Sequence, residues 1–368
     1  MNARANTPSV ARAALAWTAI LTCSGAAELP ELWDVGLDAE TLAASDVRLD
    51  SVKADALWMH RGGETTLTAD WSRQAVDYTP APTDIITQPA RRKEVRRSAQ
   101  FDTRWAASPR HAWLGSAGLH RGFSDYRAVW IDEHDRQLFE GAPNFRSADP
   151  HGWNATAGAR WTSVPGNRQA TFSVTHERNA VAPGYEPRIG EPLVRGRERL
   201  RTWSGRLSLD QVVTPRLRLR LDTSVADTTG RDRRYGIVAF ANWALAEHWV
   251  VRTSAGLTRE DPLLSARFAQ LTVERDWAGK WFAGVTAHGY RDDGEVVDPL
   301  VLSSAAPALR TLHFAASLRW QDGRNAWRVE AGPYRTDYAT PATPGAQFTR
   351  LYRDRHWLRA QVAFSRTL

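Results

Sequence analysis

Arginines and carboxylates recur two residues apart in this chain, as in Arg218, Arg220 and Asp222, or Arg328 and Glu330. In an extended strand that spacing puts the side chains on one face, where they form a charge ladder. The same phase collects Arg104, Arg160, Arg206, Arg252, Arg319 and Arg359, together with Asp70, Asp102, Glu177, Asp210 and Glu274. His120, His288, His313, Tyr290 and Gln361 add neutral polar surface to it. Nine arginines thus face seven acids, a small positive excess. Two kinds of chemistry fit such a face. Opposed acidic and basic walls around water orient polar solutes and set a weak anion preference. Alternatively, arginines and acids pair with each other, hold loops and close the space between them, as buried charges require.

Other clusters are less specific. Asp132-Glu133-His134-Asp135 follows Tyr126 to Ile131 and reads as a short helix between strands, folded over or into a mouth. Clustered carboxylates suit a hard cation such as Ca²⁺, but the spacing is not that of an EF-hand and solvated charge is the simpler reading, so no metal site is assigned. Arg91-Arg92-Lys93 with Arg96-Arg97 reads as a basic external loop that meets lipopolysaccharide phosphates or simply faces water. Ser173 and His176 are close in sequence but opposite in phase, which argues against a joint hydrolytic role. There is no G-x-S-x-G, H-E-x-x-H or P-loop motif. The reading is therefore non-enzymatic and needs no cofactor. The formal charge of +7 comes almost wholly from arginine, with lysine only at 53, 93 and 280. These cations are scattered rather than gathered in a patch, so nucleic acid is not an expected partner.

The elements that must carry these residues are strands. Trp153, Ala155, Ala157, Ala159 and Trp161 alternate with Asn154, Thr156, Gly158, Arg160 and Thr162, and Leu217, Leu219, Leu221, Thr223 and Val225 alternate with polar residues. The clearest segments are 65–75, 98–107, 112–121, 152–162, 169–177, 202–211, 217–226, 235–245, 249–259, 267–275, 281–291, 311–320, 325–334 and 357–368. Connectors alternate between short ones, carrying turn residues such as Pro165-Gly166-Asn167 and Asp322-Gly323, and long ones such as 76–97, 122–151, 178–201, 292–310 and 335–356. Short periplasmic turns and long external loops are the pattern of a transmembrane β-barrel, and they place both chain ends in the periplasm. Residues 28–64 supply either two further strands or a periplasmic N-terminal segment. Sixteen strands are favoured, with fourteen the alternative.

Tryptophan gathers near the connectors. Trp105, Trp113, Trp161, Trp243, Trp249, Trp281, Trp320 and Trp327 border short turns, while Trp153, Trp203 and Trp357 lie on the other side. They are expected at the membrane interfaces. The last strand alternates Leu358, Ala360, Val362, Phe364 and Leu368 with Arg359, Gln361, Ser365 and Thr367, although Arg366 interrupts its apolar face. Residues 1–27 read as a signal peptide, with Arg4 and Arg12 before the apolar stretch Ala13 to Cys23 and small residues at Gly25-Ala26-Ala27. Lipidation at Cys23 is disfavoured by Leu21 and Thr22 before it. The mean hydropathy of −0.46 excludes a bundle of membrane helices but suits a barrel, in which only every second strand residue meets lipid.

Over residues 28–368 the chain resembles the porin-type outer-membrane β-barrels of Gram-negative bacteria. The resemblance is architectural, and no binding residue is carried over from it. It implies an all-β, antiparallel up-and-down barrel in the outer membrane. Lipid and lipopolysaccharide are the expected surroundings, and the assembly machinery would recognise the C-terminal strand. Passive passage of small polar or anionic solutes is the expected activity. A non-conducting scaffold or adhesion barrel acting through its loops is the alternative, and a lipid hydrolase a third. The sequence leaves the oligomeric state open.

Overall fold

A computed structural model describes residues 32–60, 62–80, 88–139, 149–164, 166–180, 185–186, 194–195, 199–229, 232–260, 264–294, 307–339 and 350–368. The expected signal peptide and Cys23 lie outside them. The strands are β1 (Trp33–Ala43), β2 (Val47–His60), β3 (Gly63–Tyr78), β4 (Ala90–Ala106), β5 (His111–Arg121), β6 (His151–Val164) and β7 (Arg168–Ala180). After a two-stranded ribbon of β8 (Tyr185–Glu186) and β9 (Val194–Arg195) come β10 (Arg199–Thr214), β11 (Leu217–Thr228), β12 (Arg234–Ala246), β13 (Trp249–Glu260) and β14 (Leu264–Trp277). The series ends with β15 (Trp281–Asp292), β16 (Leu309–Gln321), β17 (Asn325–Tyr338) and β18 (Arg355–Thr367). A single helix among the described residues, α1 (Tyr126–Phe139), lies between β5 and β6.

All strands except the ribbon form one closed, antiparallel, up-and-down transmembrane barrel of sixteen members, sealed where β1 pairs with β18 from Asp34↔Thr367 to Ala43↔Leu358. Closure leaves no sheet edge, so every main-chain polar group of the wall can be satisfied in hydrocarbon. Residues 33–60 therefore form two wall strands, as the sixteen-strand reading requires. The outward face is apolar: Leu67, Phe101, Leu119, Phe172, Leu257, Val285, Phe314 and Leu358 are all exposed on it. Such exposure of large apolar side chains is the mark of a surface made for lipid.

Short turns join the strands at one end. At Trp277-Ala278-Gly279-Lys280 both central residues have positive φ, 53° and 66°, which matches the twist of a tight hairpin. Both described chain ends lie at this level, where Leu368 N donates to Trp33 O.

One segment differs from expectation. Residues 91–97, read as an external loop, belong to β4, which pairs with β3 as far as Tyr78↔Ala90. This hairpin is long enough to extend beyond the lipid band. There β4 is almost wholly polar on both faces, so the alternation that marks a strand disappears from its sequence, while the apolar inward residues, Val76 and Tyr78, come from β3. Arg91, Lys93 and Arg97 point outward, whereas Arg92 and Arg96 point inward.

Candidate functional site: the charged inner wall and its helix

The two faces of each strand are fixed by register, since residues opposite one another across a ladder share a face. All the arginines and acids predicted for the charged face lie opposite in phase to the exposed Leu, Phe and Trp side chains. They line the inside of the barrel.

Most are paired along the wall. Arg218 holds Asp210 at 2.7 Å across β10 and β11. Asp222, only 4% exposed, takes Arg220 at 2.6 Å and also Arg206. Glu274 receives Arg252 at 3.0 Å and Arg319 at 3.7 Å. Glu330 receives Arg328 at 2.5 Å and Arg359 at 2.9 Å, and Arg359 reaches Glu40 at 2.7 Å. Arg104 pairs with Glu64 at 2.8 Å. Asp102 accepts a hydrogen bond from Gln100, and Glu177 accepts one from Asn179. Arg160 stands beside Arg104 and Glu64. Glu40, Glu64 and Asp38 were missed by the sequence reading. Alternation in β1 made Asp38 and Glu40 accessible to it, but the partner strand across the closure was not.

The helix narrows this space at the end opposite the tight turns. Gly122 has φ +104°, and a Cβ there would stand 2.3 Å from Val95 O, so glycine lets the chain leave β5 tight against β4 and turn inward. Asp125 accepts from Arg127 N at 2.8 Å and caps the first turn. Val129, Trp130 and Ile131 pack against Val47, Val76, Tyr78 and Trp357 of the inner wall and against Leu351 in the turn before β18. Gln74 Nε2 donates to Phe123 O at 2.6 Å, and the Tyr126 and Trp357 rings meet at 5.7 Å. Trp357 corrects the interface assignment. It is 4% exposed, faces inward in phase with Arg359, and donates through Nε1 to Thr336 Oγ1 at 3.0 Å. A large ring is more favourably placed under α1 than on the lipid face. The other ten tryptophans of that assignment point outward, with Trp281, Trp320 and Trp327 in one cross-strand row.

Asp132 and Glu133 face basic and amide side chains. Arg92 Nη1 donates to Glu133 at 2.9 Å and Nη2 lies 3.3 Å from Asp132, while Arg136 and Gln137 donate to Glu133 from its own helix. Burial alone would raise the Glu133 pKa, but the hydrogen bonds from Arg136, Gln137 and Arg92 outweigh it and bring it down to about 2. Asp46, in the turn between β1 and β2, is likewise lowered: its burial is outweighed by hydrogen bonds from Arg355 and Arg353. Beneath the first turn of α1 lies a 590 Å³ cavity that includes Glu40, Gln74 and Tyr334. A further 260 Å³ space is bounded by Arg127, His288, Tyr290, Asp292 and Tyr334. Ser173 and His176 face opposite sides of β7, and the His176 ring lies between Trp153 and Trp203, at 5.3 and 4.3 Å.

This architecture is similar to that of two solved structures. One is a bacterial polysaccharide outer membrane secretin, with a TM-score of 0.51 at 7% identity over 93% of this chain and 100% of that one. The other is CdiB from Acinetobacter baumannii, with a TM-score of 0.54 at 8% identity over 91% of this chain. The chain spans 60% of the CdiB chain. At such identities the likeness is one of fold. No protein-family model matches the sequence, and no curated protein sequence does. The fold and the inner wall define a β-barrel of the outer-membrane kind with a charged interior.

Proposed function

We propose that this protein is a channel in the outer membrane of a Gram-negative bacterium, through which small polar solutes, anions among them, pass by diffusion. The observation that carries this reading is the inward arginine–carboxylate ladder, which continues around the wall beneath α1. Barrels of sixteen strands are wide enough to leave an aqueous path. Paired charges along that path exchange contacts with a passing solute without trapping it. With Asp38, Glu40 and Glu64 also on the inner face, the nine assigned arginines meet ten acids, so the wall is close to charge-balanced and passes polar solutes of either sign, and α1 limits the size of what enters. The process is passage rather than catalysis. Trp105, Trp113, Trp161, Trp243, Trp249, Trp281, Trp320 and Trp327 anchor the barrel at the periplasmic interface, and Trp153 and Trp203 at the external one. The outward apolar face of β18 presents the chain to the assembly machinery.

One observation favours a non-conducting scaffold instead: eight of the nine assigned arginines already have a carboxylate partner on the wall. Single-channel recording in a planar bilayer separates the two. A channel gives steady openings on the nanosiemens scale. Silence from protein that shows heat-modifiable migration, and is therefore folded, overturns the proposal.

A further inference from the structure

The outward face of β14, β15 and β16 carries three arginines directly across from one another, Arg267↔Arg291 and Arg291↔Arg310. All three are exposed, and among the described residues none has a carboxylate partner. The neighbouring acid in the row, Asp337, pairs with Arg335 at 2.6 Å. Three like charges side by side across adjacent strands repel one another. Their placement calls for an anion.

Their height identifies which anion. The same strands carry Trp277, Trp281 and Trp320 in register at the turn end, and each arginine lies ten residues further along its strand. Ten residues at about 3.4 Å, on strands tilted roughly 40°, rise about 26 Å along the membrane normal. That matches the apolar band of about 25 Å, so the arginines stand at the headgroup level of the external leaflet. Directly below them the face recedes. Ala239, Ala255, Ala269 and Gly289 are aligned across β12 to β15, between Leu221 and Leu312. A cavity of 1140 Å³ adjoins both the arginine row and this floor.

We propose that this face binds one lipopolysaccharide molecule of the external leaflet. Arg267, Arg291 and Arg310 take a phosphate monoester of its lipid A, and an acyl chain lies in the groove over Ala255 and Ala269. A monoester carries close to two negative charges and three acceptor oxygens, which suits three converging guanidinium groups. The single charge of a phosphodiester lipid satisfies them less well. The site is outside the barrel and does not depend on whether the lumen conducts.

The test uses the full chain in nanodiscs, with retained lipid read by native mass spectrometry. Lipid A competes against its dephosphorylated form and against phosphatidylglycerol. The unaltered protein is expected to prefer lipid A by at least about tenfold over both. The R267Q/R291Q/R310Q variant loses that preference, while R91Q/R97Q, which removes outward arginines of β4, keeps it. Ala255→Trp fills the groove with the arginines intact and weakens retention as well. Equal retention of lipid A and phosphatidylglycerol by the unaltered protein overturns the proposal, and that arm requires no variant to fold. A preference that survives in the triple variant, or that is lost in R91Q/R97Q, also overturns it.

Discussion

Asp222 shows how single residues set the character of the inner wall. One nearly buried carboxylate balances two guanidinium groups, Arg206 and Arg220, whose side chains are 54% and 41% exposed. Asp222→Asn removes a negative charge and leaves both arginines in place. Because the arginines keep much of their water, the stability cost is only about 1 kcal/mol. The effect on passage is larger: the reversal potential under a salt gradient shifts toward anions, and an unchanged potential would show that these charges do not face the permeating ions. The phase of the inner residues was legible because alternation alone determines it. Trp357 followed the same phase as Arg359 and was nevertheless expected at the membrane interface, since tryptophan near a connector usually belongs there. What placed it inside was the docking of α1, a contact between segments far apart in sequence.

At the scale of elements, α1 is held in the mouth by charge as well as by packing. The run Asp132-Glu133 pointed to a helix, but its partner Arg92 lay in a segment whose strand character was hidden by polarity on both faces. The folded pKa of Glu133 lies below its ordinary value of 4.5, so its contribution is complete above that value and fades as pH falls toward about 2. Acidification through this window therefore weakens the hold of β4 on α1. Single-channel conductance is expected to rise reversibly across it. Arg92→Ala, which removes the same anchor, should show the raised conductance already at neutral pH. A conductance that is flat through the window, together with an unaltered Arg92→Ala channel, would mean that α1 does not narrow the path.

The molecule as a whole is organised by sidedness. Within the apolar band large hydrophobic side chains face outward to lipid and most charges face inward, one end carries only short turns, and the longer connectors with α1 lie at the other. Much of this was legible because hydrocarbon permits few solutions to main-chain hydrogen bonding, and a closed antiparallel barrel prints that solution as period-two alternation. Closure between β1 and β18 was not legible in the same way. Alternation gives each strand its faces but not its register with a partner more than three hundred residues away, such as Gln361 donating to Asp38. Nor could it show that Arg267, Arg291 and Arg310 stand in one row, which depends on the register of three strands.

The central claim, that the arginine face meets permeating water and the leucine face meets lipid, is tested most directly by cysteine substitution at adjacent positions of β11. The sequence contains one cysteine, Cys23, which is replaced by serine in the background. Arg220→Cys and Leu219→Cys channels are then recorded in planar bilayers before and after an anionic, membrane-impermeant thiol reagent. Modification at position 220 is expected to lower the conductance and shift the reversal potential toward cations, with no response at position 219. A response at 219 with none at 220, or no conductance from either folded barrel, would contradict the account.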